Sequence, residues 1–178
     1  MAPGRAGLAV LAVLGGTALA LRAADAIPGF LLSVPRGVHV CGSLAEAESR
    51  TGLRLEALRR GLGDYQPVAG AIRAMAKPAP AVAVTLRGGT GTETELTIFR
   101  GRGREISALL RPPLSAFHEI EIPIGPGRMA SLKAASTANG PVLQDLQWFD
   151  GEVTTALRFS GRTVELLRLA RRIVGDAQ

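Results

Sequence analysis

Two histidines and one cysteine have the widest chemical repertoire in this chain. His39 and His118 stand about eighty positions apart, and a zinc site would need a third or fourth ligand at a recognisable spacing. We therefore expect both to be ordinary strand residues. Cys41 shares a face with His39 if the segment is extended, so a thiol–imidazole pair is geometrically possible, but nothing in the sequence orients the imidazole.

The single cysteine excludes an intramolecular disulfide. We expect Cys41 to be a small buried apolar side chain. A free reactive thiol and an intermolecular bridge remain open as alternatives.

Paired carboxylates and glycine-rich loops are two further patterns that can carry chemistry. Glu119 and Glu121 lie on one face of a predicted strand whose other face is isoleucine, which favours a solvated sheet surface over a general acid–base pair. The stretch 88–91 lacks the lysine and the following helix of a phosphate loop, so it indicates a hairpin turn. No Gly-x-Ser-x-Gly elbow is present. We therefore assign no catalytic, cofactor-binding or metal-binding residue and expect no cofactor.

The chain is strongly basic, with a formal net charge of +6 and a pI near 10.9. This charge fits attraction to a polyanion, but it equally fits arginine used as a general solubilising residue, because the arginines are scattered. The segment 101–104 (Gly-Arg-Gly-Arg) is a single copy, whereas RNA-binding segments of this type repeat and carry stacking aromatic residues. We expect no nucleic-acid partner.

Residues 1–26 have the three parts of a secretory signal peptide. Arg5 and the α-amino group form a positive start, and Gly7–Leu21 is an uncharged apolar stretch of fifteen residues. Ala24 and Ala26 then place small side chains where a signal peptidase requires them. The sequence predicts export to the periplasm or the extracellular space.

A permanent membrane anchor is the alternative for this segment. Fifteen residues rising about 1.5 Å each span about 22 Å, which is less than the ~30 Å hydrocarbon core. A longer span would carry Arg22 and Asp25 into the bilayer at about 2.5–3.5 kcal/mol each. Cleavage is favoured, 27–36 is predicted to be a tether, and 37–178 a single domain.

Capping signals predict the helices. Ser43 and Glu46 form a capping box and Gly52 suits the left-handed position after a helix, so a helix is expected over 44–51. Leucine spacing predicts a short second helix over 53–62. A last helix is expected from a cap at Ser160 or Thr163 to about Val174. Its predicted apolar stripe is Leu166, Leu167, Ala170, Ile173 and Val174.

Alternation of apolar and polar residues predicts the strands. The candidates are 37–40, 68–75, 81–86, 95–100, 118–124, 129–134, 143–149 and 153–159, with turns or loops between them. Pro123 places the strand 118–124 at a sheet edge, with Ile120, Ile122 and Ile124 facing inward. Asp150-Gly151 signals a tight hairpin. The expected fold class is α+β, an antiparallel β-sheet with a short N-terminal helix and a C-terminal amphipathic helix packed on one face.

The C-terminal third resembles a known family. The strand Leu146–Phe149 with its Trp148, the Asp150-Gly151 turn, the strand Thr155–Phe159 and the helix around Ala170 are similar to an uncharacterised C-terminal domain. That domain occurs in bacterial extracytoplasmic anti-sigma factors and envelope lipoproteins. The resemblance implies a non-enzymatic envelope domain that senses or binds something.

These observations lead to one expectation and two alternatives. We expect a non-catalytic exported envelope domain with a binding or sensory role, acting on an envelope protein or ligand and tethered to the membrane if the N-terminal segment is kept. A small envelope hydrolase with an unrecognised site remains open. So does a structural or assembly protein that adds the edge Ile120–Ile124 to a partner sheet.

Overall fold

The computed structural model describes residues 35–56, 63, 65–88, 94–115, 118–135 and 142–175. In chain order, the elements of this part of the chain are β1 (Val38–Cys41), α1 (Leu44–Thr51), β2 (Tyr65–Met75), β3 (Ala81–Gly88), β4 (Glu95–Arg102), β5 (His118–Gly125), β6 (Arg128–Ala135), β7 (Leu143–Phe149), β8 (Val153–Phe159) and α2 (Thr163–Gly175). From Arg36 onward they belong to one compact unit. The predicted signal segment 1–26 and nearly all of the tether 27–36 lie outside the described residues.

The strands form one antiparallel sheet built from two four-stranded meanders. The order is β1-β2-β3-β4-β8-β7-β6-β5, so the two meanders join where β4 pairs with β8. Both helices contribute to one apolar cluster on the same face of the sheet. The fold is therefore α+β, with a short N-terminal helix and a C-terminal helix on one side of the sheet, as the sequence predicts.

α1 begins and ends where its sequence predicts. The Ser43 hydroxyl accepts from the N–H of Glu46 at 3.2 Å, and Gly52 takes the left-handed conformation with φ 68°. The carboxylate of Glu46 accepts from the N–H of Gly42 at 2.9 Å, one residue earlier than the capping box predicts. Ala47 is fully buried on the sheet side of the helix, which packs mainly on β2.

α2 covers the other half of the same face, chiefly over β5. Its buried residues are Leu166, Leu169, Ala170, Ile173 and Val174. Leu169 therefore takes the place in the stripe that was predicted for Leu167, which is only half-buried. Neither predicted cap is correct, because α2 begins at Thr163 itself and the Ser160 hydroxyl accepts from the N–H of Glu95 at 3.4 Å.

The meander topology requires a long connection across the sheet. The chain leaves β4 and must reach β5 at the far edge, four strand spacings away, or roughly 19 Å. The described part of this connection, 103–115, crosses the face opposite the helices, which we call the second face. Leu110 and Ile106 cover a small apolar cluster there, formed with Phe99 and neighbouring alanines.

Two expectations about the region after α1 need correction. Leu53 and Leu55 are both buried outside any helix, so the predicted second helix does not begin at 53. Glu56 is helical, and the remainder of the predicted helix, 57–62, lies outside the described residues. The segment assigned mainly to a loop forms β2 from Tyr65, longer than predicted. Pro67 is tolerated because β1 pairs with β2 only from Ile72 onward and because the register with β3 shifts after Pro67.

Two strands also differ from their predicted course. β4 runs on to Arg102, so the predicted turn over 101–104 begins two residues late, at Gly103 with φ 89°. β5 lies at the sheet edge, as predicted, and Ile120 lies on the same face as Ile122 and Ile124, but it is not covered there and is 54% exposed. Only Ile122 and Ile124 join the apolar cluster under the helices.

Candidate functional site

A line of polar side chains crosses the second face from strand to strand. Directly paired positions carry Thr85, Thr97, Arg158, Asp145, Lys133 and Glu119, on β3, β4, β8, β7, β6 and β5 respectively. The four charged members alternate in sign, which is the favourable arrangement for cross-strand neighbours about 4.5–5.5 Å apart. Arg158 contacts Asp145 at 2.8 Å, and Lys133 contacts Glu119 at 3.3 Å. We call these six residues the polar row.

Asp145 is the buried centre of the row. Its side chain is 3% exposed, and each carboxylate oxygen accepts from one guanidinium nitrogen at 2.8 Å, Oδ1 from Arg111 and Oδ2 from Arg158. Arg111 belongs to the crossing segment 103–115, and its Nη1 also donates to Gln147 Oε1 on β7. The cluster therefore fastens the segment to the sheet with charge-assisted hydrogen bonds, which are among the stronger kind.

Arg158 is held from three sides. Its Nη2 donates to Asp145 and also to the carbonyl of Pro112 at 2.7 Å, and its guanidinium lies 5.4 Å from the ring centroid of Phe99. The Nε of Arg158 is buried and has no hydrogen-bond partner within the described residues. These contacts fix the guanidinium of Arg158 in the polar row.

A cavity of about 370 Å³ lies between the polar row and the crossing segment. Its basic lining residues are Arg111, Lys133 and Arg158, and its acidic ones are Asp145 and Glu105. Ile106 and Leu114 form part of its apolar wall. The size lies at the small end of ligand pockets, and convergent polar groups beside an apolar wall are typical of them. We call this cavity the second-face pocket.

Another cavity, of about 400 Å³, lies where the β5–β6 hairpin meets the end of α2. Its lining is mostly apolar, including Ile124 and Val174, with Arg171 at its border. This lining offers one charged group, whereas five converge in the second-face pocket. The second-face pocket is therefore the better candidate for recognition.

The sheet order separates the two histidines. His39 lies on β1 and His118 on β5, the opposite edges of the eight-stranded sheet, seven strand spacings or roughly 33 Å apart when measured along the sheet. Within the described residues, no group of three or more His, Cys, Asp or Glu side chains could hold a metal ion.

Cys41 is buried in the cluster beneath the helices, as predicted. Its thiol lies 3.9 Å from the backbone carbonyl of His39 and points to that oxygen as its acceptor. Burial raises the pKa of the Cys41 thiol, and the carboxylate of Glu46 raises it further. Both effects disfavour the thiolate, which is the nucleophilic form.

Glu119 and Glu121 lie on the exposed second face of β5, as predicted for a solvated surface. Glu119 accepts from the Ser131 hydroxyl at 2.6 Å, and this bond together with Lys133 lowers the pKa of its carboxyl group. Gly88 ends β3, and the rest of the predicted glycine-rich turn lies outside the described residues. None of these residues lines the second-face pocket.

Sequence reasoning did not single out Asp145, Arg158 or Arg111. A partial signal existed for the first two, because a two-residue turn at Asp150-Gly151 would place Asp145 opposite Ala156, on the same face as Arg158. The observed register is shifted by two residues and pairs Asp145 with Arg158 itself. No comparable signal existed for Arg111. Its position depends on the long connection between the two meanders, which follows only from the strand order.

The chain matches no model of a known protein family, and no curated protein or solved structure matches it. Within the described residues, no helix has the length and apolar character needed to cross a membrane.

Proposed function

We propose that this chain is an exported, non-catalytic binding domain whose ligand site is the second-face pocket. The observation that carries the proposal is the convergence of Arg111, Lys133 and Arg158 around the buried carboxylate of Asp145 in a cavity of about 370 Å³. Grouped charges at a partly enclosed site are typical of recognition. A binding or sensory role fits the envelope-domain resemblance of the C-terminal third.

The energetics of buried charge support a functional interpretation of this cluster. Apolar side chains could cover the second face at similar or lower free energy, because desolvating ions costs several kcal/mol each and buried ion pairs often do not repay it. Leu110 and Ile106 already do so over Phe99. Two arginines and an aspartate beside this apolar cluster are therefore better explained by a ligand than by stability alone.

The proposal of export rests on the composition of residues 1–26. A positive start, an apolar stretch of fifteen residues and small residues near a cleavage position are what the secretion machinery recognises. We expect deletion of 1–26 to leave the protein in the cytoplasm. Export that is unchanged by this deletion, measured by fractionation and immunoblotting, would contradict the proposal.

A second candidate function is strand addition at β5. β5 lies at the sheet edge, and the half-exposed Ile120 stands between two exposed glutamates. This arrangement offers a partner strand both an apolar contact and unpaired backbone groups. Glu119, Glu121 and Pro123 also protect an edge, so the second-face pocket is the preferred site.

Amide chemical-shift mapping tests the binding site even while the natural ligand is unidentified. The ¹⁵N-labelled protein is titrated with a library of small charged and neutral fragments. We expect the binders to shift amides of 105–114 and of the central residues of β6, β7 and β8, and we expect Arg111→Gln to weaken these shifts. Shifts confined to other surfaces, or no binder at all, would overturn the proposed site.

A further inference from the structure

We propose that the second-face pocket takes a small organic anion, a carboxylate or phosphate group carried on a compact apolar body. This ligand class rests on the binding function proposed above and narrows it. The geometry that points to it is a basic floor and an apolar wall: Arg158 and Lys133 of the sheet form the floor with Arg111 of the crossing segment, and the wall lies on the crossing segment.

The charge of the floor favours an anion. Arg111 and Arg158 contribute two positive charges at side chains only 13% and 15% exposed, and Asp145 neutralises one of them. The deep part of the pocket therefore keeps one uncompensated positive charge. In a partly desolvated site this charge attracts an anion more strongly than a surface arginine does.

The hydrogen-bond donors and acceptors of the pocket also favour an anionic ligand. Each oxygen of the buried Asp145 already accepts one guanidinium bond, and the other acidic lining residue, Glu105, is an exposed side chain of the crossing segment. A carboxylate or phosphate in the pocket would instead meet the N–H donors of the lining residues Arg111, Arg158 and Lys133, which carry no acceptor atoms in their side chains.

Lys133 provides a third, more exposed cation at the border of the pocket. It is 39% exposed, and its Nζ lies 3.3 Å from Glu119, an exposed carboxylate that Ser131 also holds. Exposed pairs of this kind are weak. Lys133 can therefore turn to a ligand in the pocket while Glu119 keeps its bond to Ser131.

The wall selects the remainder of the ligand. Ile106, Ala108, Pro113 and Leu114 line the pocket from the crossing segment. A hydrated inorganic ion would leave this wall in contact with water, whereas an apolar body would bury it at about 25 cal/mol per Å². The ligand with both features is an organic acid rather than a free inorganic ion.

Three matched probes separate the effect of the negative charge from that of the apolar chain in a calorimetric titration of the full-length protein. Hexanoate has both a carboxylate and an aliphatic chain. Hexanamide has a chain of the same length without the charge, and acetate has the charge without the chain. We expect hexanoate to bind at least tenfold more tightly than either of the others, which is the worth of one charge-assisted hydrogen bond. We expect its affinity to fall with added salt.

The chain offers a matched control variant. Lys133→Gln removes the cation at the pocket, whereas Lys77→Gln removes the same charge at the chain's other lysine, which is exposed and does not line the pocket. We expect about tenfold weaker hexanoate binding with Lys133→Gln and no change with Lys77→Gln. Equal loss in both variants would show a general charge effect and would overturn the assignment.

The outcomes also separate this inference from the binding function itself. Hexanamide binding as tightly as hexanoate in the second-face pocket would overturn the anionic class and leave the binding site in place. Binding of neutral fragments in the second-face pocket without binding of hexanoate would likewise overturn the anionic class and leave the binding site in place. Binding of hexanoate and of the neutral fragments only at the cavity beside α2, with shifts around Arg171, would overturn both proposals.

Discussion

Asp145 and Arg158 face each other directly across β7 and β8, with Asp145 Oδ2 2.8 Å from Arg158 Nη2. The pair lies in the middle of the sheet on the face without helices, and Arg111 reaches the other oxygen of Asp145 from the crossing segment. One carboxylate thus joins the sheet to the connection between its two halves. This joint forms the floor of the second-face pocket.

Removal of the Asp145 charge should lower the stability of the folded protein. Asp145→Asn keeps the shape but leaves two largely buried guanidinium groups without a counter-charge, so we expect the free energy of unfolding to fall by about 3 kcal/mol. Urea denaturation measures this change. Glu119→Gln, at the exposed end of the polar row, is the control and should leave the midpoint unchanged. Similar effects for both substitutions would contradict the buried cluster.

Loss of the Arg111 side-chain bonds should loosen the crossing segment without loosening the rest of the sheet. Arg111→Leu removes the bonds to Asp145 and Gln147 while keeping an apolar stem. We expect faster hydrogen–deuterium exchange for the amides of Leu110 and Arg111, whose N–H groups bond to Ser107 within the segment. The amides of α1 should not change. Faster exchange throughout the sheet would show that the segment supports the whole fold instead.

Gly161 lies so close to the Phe159 ring that no larger residue should fit at position 161. A Cβ at Gly161 would overlap the Phe159 ring, which is fully buried and cannot move aside. We expect Gly161→Ala to destabilise the protein by about 1–3 kcal/mol, the range for overpacking. Gly175→Ala, where a Cβ meets nothing within 4 Å, is the matched control and should be neutral or slightly stabilising. Thermal unfolding of the two variants distinguishes them.

The thiol of Cys41 should react only when the protein unfolds. Its raised pKa and its 1% exposure keep the thiolate scarce and inaccessible at neutral pH. We expect alkylation by iodoacetamide to be slow in the folded protein and to accelerate in denaturant, at the rate of unfolding or local opening. Rapid labelling of the folded protein at pH 7, monitored by intact-mass measurement, would contradict the burial of Cys41.

The edge strand β5 should tolerate charge at one isoleucine and not at another. Ile120→Lys should leave stability unchanged because the side chain is 54% exposed, whereas Ile124→Lys should prevent folding because that side chain is 1% exposed. Gel filtration at several concentrations gives a second readout. If β5 mediates self-association, Ile120→Lys abolishes it; a monomer in both the parent protein and this variant counts against an assembly role between copies of this chain.

Local sequence signals predict most elements of this fold. The capping box at Ser43 and the Asp150-Gly151 turn give correct bounds because they depend only on neighbouring residues. Ile120 illustrates the limit. Strict alternation predicts that it faces the core, but exposure depends on how far α2 reaches along the edge, which no local pattern encodes.

The candidate site could not be predicted in full for a related reason. The predicted hairpin places Asp145 and Arg158 on one face within two residues of direct pairing. Arg111 joins them only because β4 and β5 lie at distant positions in the strand order. A connection that crosses a sheet face is a consequence of topology. In a sequence that predicts a sheet with one apolar face, charged residues of opposite sign at neighbouring strand positions on the other face are the signal that would reveal such a cluster.

A crystal structure of the protein grown with hexanoate would test the proposed ligand site most directly. We expect the carboxylate in the second-face pocket, within hydrogen-bond distance of Arg158 or Lys133, and the aliphatic chain against Ile106 and Leu114. A second-face pocket without hexanoate, together with hexanoate bound beside Arg171 or nowhere on the protein, would contradict it.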